Sequence, residues 1–228
     1  DWAKAGYVVA SEQFPFNDLK LPSKEILNKG KLTVSEANET LIAKGKGFSA
    51  TWNTKSGNLT SLVYDGKEML ASNAKGFEEQ PVVQAFRAPT DNDKGFGNWL
   101  AKDWKLLGLD SPKVSIDSLR HFVRKDGVLE FKVYKTNQYK KGSIHTTFTY
   151  ITTAEGIIDL QANFKPEGTL PNLPRLGIAL ALNPELEQYC WYGQGPWENY
   201  PDRKSASTIG MWKSTETEQY FAYPRPQE

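Results

Sequence analysis

Phe86-Arg87-Ala88-Pro89-Thr90-Asp91-Asn92-Asp93-Lys94-Gly95 sets an arginine, a proline, two aspartates, an asparagine and a glycine side by side. A second stretch, Gly193-Gln194-Gly195-Pro196-Trp197-Glu198-Asn199-Tyr200-Pro201-Asp202-Arg203, has the same character. Ordinary turn filler is poorer in aromatics and charge than either. Both follow or interrupt strand-like sequence. Residues 114–119 (Val-Ser-Ile-Asp-Ser-Leu) alternate apolar and polar, as do 129–134 and 158–164, the period-2 mark of a half-buried strand. Residues 176–182 (Leu-Gly-Ile-Ala-Leu-Ala-Leu) are more uniformly apolar and predict a central strand covered on both faces.

Hairpin chemistry separates these runs. Lys55-Ser56-Gly57-Asn58 divides 48–52 from 59–64, and Asp65-Gly66 and Asp126-Gly127 supply residues that accept positive φ. Ala154-Glu155-Gly156 parts two further strands. Strands recurring about every ten to twelve residues predict an antiparallel sandwich. One helix is expected over 98–107. Asn98 would be its N-cap, Leu100, Trp104 and Leu107 would share a face, and Gly108 would follow as the C′ residue. Trp99 falls outside that stripe.

The 228 residues suit one large all-β domain or two small ones. A hydrophobic share of 39% and an aromatic share of 12% are enough for a packed core. The net charge of +1 gives no long-range field toward nucleic acid or an anionic membrane, and no apolar run approaches the ~20 residues of a membrane span. The single cysteine, Cys190, excludes an intrachain disulfide and a Cys-based zinc site; its apolar context predicts a buried strand residue. His121 and His145 have no Asp, Glu or Cys at ligand spacing, so no metal site is expected.

Asp91, Asn92 and Asp93 admit two readings: a polar constellation at a site rim, or caps of the following turn paired with Arg87. A calcium loop of EF-hand type would need a glutamate at position 102, which is Lys. A retaining glycosidase pair holds its carboxyls about 5–5.5 Å apart across a sugar cleft, which residues two apart on one segment do not provide. Gly95 and Gly97 offer loop freedom up to Asn98. In the second stretch, Trp197 and Glu198 combine an aromatic face with a hydrogen-bonding end, as sugar sites do. The alternative is a structural corner in which Tyr200 packs inward and Arg203 pairs with Glu198 or Asp202. Of the seven tryptophans most are expected in the core, with Trp197 the exception.

Five motifs in fixed order carry a resemblance: Trp2-Ala3-Lys4-Ala5-Gly6-Tyr7-Val8-Val9-Ala10, Arg87-Ala88-Pro89-Thr90-Asp91-Asn92-Asp93, Trp104-Lys105-Leu106-Leu107-Gly108-Leu109, Pro174-Arg175-Leu176-Gly177, and the stretch 193–203. Together they resemble the small-chain domain of bacterial glycoside hydrolase family 2 β-galactosidases. The resemblance implies a large antiparallel β-sandwich, the supersandwich related to galactose mutarotase. It implies that residues 1–16 are the last strand of a preceding immunoglobulin-like domain, 17–31 a linker, and 32–228 the sandwich, continuing past Glu228. It implies a parent that hydrolyses terminal β-D-galactosides with retention through two glutamates on a catalytic barrel. No catalytic residue therefore transfers to any position here.

By the same resemblance Asp91, Asn92, Asp93, Gly95, Asn98, Trp197 and Glu198 border the substrate site. Arg87, Pro89, Asn199, Tyr200, Asp202 and Arg203 are family-marking structural residues. This chain is expected to hold no cofactor, with Mg or Na ions a matter for the parent. Its expected partners are the barrel and immunoglobulin-like domains of the same chain and the β-galactoside, in a parent with room to be homo-oligomeric, in bacterial cytoplasm or periplasm. Two other classes compete: a stand-alone carbohydrate-binding module, and a mutarotase-like epimerase.

Overall fold

Burial alternates residue by residue along Phe48–Asn53, and that alternation assembles the first sheet. In this computed structural model, which describes residues 2–16, 28–71, 74–78, 80–95, 97, 99–200 and 204–220, five strands form an antiparallel meander. They are β1 (Thr33–Ala37), β2 (Thr40–Gly45), β3 (Phe48–Asn53), β4 (Leu59–Tyr64) and β5 (Lys67–Glu68), in that order. The β4–β5 turn is Asp65-Gly66, with φ of 48° and 79°; two consecutive positive φ values match the strand twist, as the sequence predicts. Between β3 and β4, Asn53 Oδ1 accepts the amides of Lys55 and Ser56 at 2.8 Å each.

A second meander follows: β6 (Val82–Gln84), α1 (Asp91–Lys94), α2 (Leu100–Leu107), then β7 (Lys113–Val123), β8 (Leu129–Gln138), β9 (Gly142–Thr152) and β10 (Ile158–Gly168). The last four make one sheet in the order β10-β9-β8-β7. Leu41, Ala43, Ala50 and Trp52 from the first sheet and Leu129, Phe131, Val133, Phe148 and Tyr150 from the second form one buried cluster. Trp52 meets Phe131 and Tyr150 edge-on, with ring centroids 5.8 and 5.6 Å away. Such pairs contribute roughly 0.5–1.5 kcal/mol beyond area burial. Two antiparallel sheets joined by one apolar core make the fold all-β and sandwich-like.

The chain divides into two compact units, Ile26–Pro184 around this core, and Asp1–Glu25 with Glu185–Ala222. The second unit contains the antiparallel ribbon of β12 (Gln188–Gly195) and β13 (Thr208–Thr215), after β11 (Gly177–Ala179) has paired with β6 in the first. Within the second unit Gln13 binds Ile209 twice, its Nε2 donating to the carbonyl at 2.8 Å and its Oε1 accepting the amide at 2.7 Å.

The structure departs from the sequence-based expectations at several points. Residues 176–182 do not form a doubly covered strand: β11 has three residues, and Leu176, Ile178, Leu180 and Leu182 are exposed. Uniform apolarity marks residues fit for burial, and supplies no second layer. Cys190 lies on a strand but is exposed, because a two-stranded ribbon cannot cover both its faces. Only Trp52 and Trp104 among the tryptophans are buried. Residues 2–16 contribute to no strand, since a strand is hydrogen-bonded only where a partner runs beside it. Helix α2 begins at Leu100 with Trp99 in the cap position; the expected cap, Asn98, lies outside the described residues, as do 17–27 of the expected linker. Asn28 and Lys29, at its end, are pinned: Asn28 Oδ1 accepts the Ala154 amide at 2.8 Å, and the Lys29 amide donates to Glu155 Oε1 at 2.8 Å.

Candidate functional site

The segment from Phe86 to Gly95 is organised by Asp93. Thr90 stands at the N-cap of α1 in extended backbone, which aims its amide and hydroxyl at the third helical residue. Asp93 Oδ2 accepts three donors: the Thr90 amide at 2.7 Å, the Thr90 hydroxyl at 2.9 Å and Arg87 Nη1 at 2.6 Å. Arg87 also donates to the Ala88 carbonyl at 3.0 Å, and its guanidinium lies 5.5 Å from the centre of the Trp104 ring. Trp104 in turn donates to the Asn172 carbonyl at 2.9 Å. Helix α2 is fixed at its far end by Gly108, in the left-handed region at φ 70°, as the sequence predicts.

Burial alone would push the Asp93 carboxyl up; the Arg87 hydrogen bond, the Thr90 donors and the Arg87 charge outweigh it and hold the group below the usual carboxylate range. A carboxylate stabilised as an anion by three donors is a poor proton carrier near neutrality. Asp93 therefore acts as a cap and an anchor. Asp91 and Asn92, in the same turn, are exposed. Gly95 is extended at φ −154°, a conformation open to any residue, whereas Gly97 at φ 81° uses glycine's freedom.

Beside this turn, Phe86, Pro89, Lys94, Trp99, Lys102 and Lys105 help line a cavity of 600 Å³. Trp99 was not among the residues expected at this cavity. Its position off the apolar stripe of α2 was the available signal, and its side chain is 62% exposed. An exposed indole bordered by ammonium groups can stack on an apolar sugar face while the cations meet hydroxyls.

The second motif belongs to the other unit and starts where β12 ends. Trp197 is exposed and Glu198 half-buried. Asn199 ties the corner, its Nδ2 donating to the Gln194 carbonyl at 3.3 Å and its Oδ1 accepting the Ser207 hydroxyl at 2.5 Å. Tyr200 is 40% exposed, so it does not pack inward. Asp202 and Arg203 lie outside the described residues, with their expected pairing.

Among the described residues no group of three or more His, Cys, Asp or Glu could hold a metal ion. His121 is engaged with Glu36 at 3.1 Å and His145 with Glu167 at 3.0 Å. No described helix is long and apolar enough to cross a membrane.

Residues 44–228 match the family described as the β-galactosidase small chain. The chain is similar over its whole length to the β-galactosidase of Priestia megaterium, at 32% identity, and to that of Lactobacillus delbrueckii subsp. bulgaricus, at 31%; it covers 21% of each. The β-galactosidase of Clostridium acetobutylicum is 29% identical over 94% of this chain, which covers 23% of that protein. The chain therefore spans about a fifth of the length of these curated relatives.

Proposed function

We propose a function from one premise: this chain belongs to the β-galactosidase small-chain family. It serves as the C-terminal domain of a β-galactosidase that hydrolyses terminal β-D-galactosides with retention. The acid and the nucleophile are two glutamates on a barrel outside this sequence, and this domain supports and borders their site. Residues 1–16 close a preceding immunoglobulin-like domain, 17–31 link, and 32–228 form the sandwich. Its partners are those preceding domains and the β-galactoside, and any Mg or Na ion is held elsewhere in the parent.

The observation that carries this reading is the coverage: relatives with one and the same enzymatic name match the whole chain with about a fifth of their own length. The chemistry at Asp93 supports it. A carboxylate that three donors hold as an anion suits an anchored rim, and leaves proton transfer to other groups. In this reading the residues of the two sequence motifs expected at the rim, Asp91, Asn92, Asp93, Gly95, Asn98, Trp197 and Glu198, belong to the parent's substrate site. A complementation assay tests it. The matched region is deleted from the Priestia megaterium relative, and this chain is added to the remainder. Restored hydrolysis of an aryl β-galactoside is expected. No restoration, with both partners folded by circular dichroism, contradicts the reading.

A further inference from the structure

Helix α2 has Trp99 at its cap, with Lys102 and Lys105 three residues apart and therefore neighbours on one side. Lys94 ends α1. All three lysines line the cavity of 600 Å³ beside the Phe86–Gly95 turn, over apolar surface from Phe86, Pro89 and Trp99. That volume is within the range of small-molecule sites. Trp99 is 62% exposed, and the three lysines are exposed as well, so a molecule arriving from solvent reaches each of them.

Among the described residues none of these three ammonium groups has an ion-pair partner. The nearby guanidinium of Arg87, by contrast, is answered by Asp93 at 2.6 Å. Like charges at the spacing of Lys102 and Lys105 repel, and a third cation at the same cavity adds to that repulsion. The one carboxylate in the lining is Asp110, also exposed. Its Oδ1 accepts the Ser111 hydroxyl at 3.3 Å, and its second oxygen has no partner among the described residues. The cavity lies entirely in the unit of residues 26–184.

We propose that this cavity binds a pyranose that carries an anionic group, a phosphate or a carboxylate. Each part of such a ligand has its counterpart. The indole of Trp99 takes the apolar C–H face of the ring. The ammonium groups, which only donate, take the anion. The Asp110 carboxylate, which only accepts, takes a ring hydroxyl. A neutral sugar leaves the three cations unanswered, and inorganic phosphate leaves the indole unanswered. An aromatic acid has no hydroxyl for Asp110. The inference goes beyond the neutral β-galactoside of the proposed function.

Isotope-labelled chain titrated with galactose 6-phosphate and galacturonate, and separately with galactose, inorganic phosphate and benzoate, tests it through the Trp99 indole N–H and the Lys102 backbone amide. A saturable shift with at least one anionic sugar is expected, about tenfold tighter or more than with the other three probes; the two anionic sugars tell phosphate from carboxylate. Trp99→Ala weakens binding by about tenfold, and so does the double substitution Lys102→Gln with Lys105→Gln, the loss of one charge-assisted interaction. These side chains are exposed, so the variants leave the core intact. Raising the salt from about 0.05 M to about 0.5 M weakens binding further. No saturable shift with either anionic sugar overturns the proposal, as do equally tight binding of galactose, phosphate or benzoate and undiminished affinity in the double variant. The complementation assay reads hydrolysis by the parent, so the two readings fail separately.

Discussion

Nη1 of Arg87 lies 2.6 Å from Oδ2 of Asp93, the same oxygen that accepts the amide and hydroxyl of Thr90. One carboxylate thus closes the first turn of α1 and neutralises an arginine that rests against Trp104. The two side chains are only 15% and 10% exposed, so solvent screens the pair weakly.

Asp93→Asn keeps the shape and removes the charge. It leaves Arg87 largely buried without its anion, and it weakens the cap. The expected loss is about 3 kcal/mol, in the range for breaking a buried pair with a cap contribution on top. Urea unfolding followed by tryptophan fluorescence checks it. A loss below roughly 0.5 kcal/mol, the level of an exposed pair, would mean that the interaction is not what orders this segment.

The depressed carboxyl of Asp93 sets a direction for acid sensitivity. Its folded pKa lies below the unfolded value of about 3.9, so its contribution is fully present above that value. The contribution is lost as the pH falls through the folded pKa. Glu130, held low by its bonds to Lys132 and Arg124, and Glu68, whose donors at Ser61, Leu62 and Leu70 outweigh its burial, act in the same direction. The informative quantity is therefore a difference. Between neutrality and about pH 3, wild type should lose more stability than Asp93→Asn, and parallel acid limbs would be the contrary result.

Gly57 has a φ of 68°, and a Cβ there would come within 2.3 Å of Val133 Cγ1. Gly57→Ala therefore adds a strained backbone to a clash with the buried core. A loss of roughly 2–3 kcal/mol is expected, readable as a lower denaturation midpoint with an unchanged m-value. A neutral outcome would show that the turn between β3 and β4 is not seated against β8.

Much of the fold was legible because strands announce themselves locally. Phe48-Ser49-Ala50-Thr51-Trp52 and Leu129-Glu130-Phe131 alternate, and the pairs Asp65-Gly66 and Asp126-Gly127 mark turns, with Gly66 and Gly127 both at positive φ. What failed depended on neighbours. Residues 176–182 are apolar enough for a central strand, yet Leu180 and Leu182 remain 40% and 54% exposed, because the sequence of a strand does not state what lies over it. Cys190 failed for the same reason. At the candidate site, the pairing of Arg87 with Asp93 was readable as one of two alternatives. The contact of Arg87 with Trp104 was not, since it joins the segment before α1 to helix α2 through a ring whose direction depends on packing.

The account rests on this chain doing no chemistry of its own. Hydrolysis of an aryl β-galactoside by the purified 228-residue chain measures that directly. The prediction is no release above the uncatalysed rate at any pH between acid and alkaline limits where the fold persists. Turnover that scales with protein concentration, and survives repurification of the chain, would contradict it.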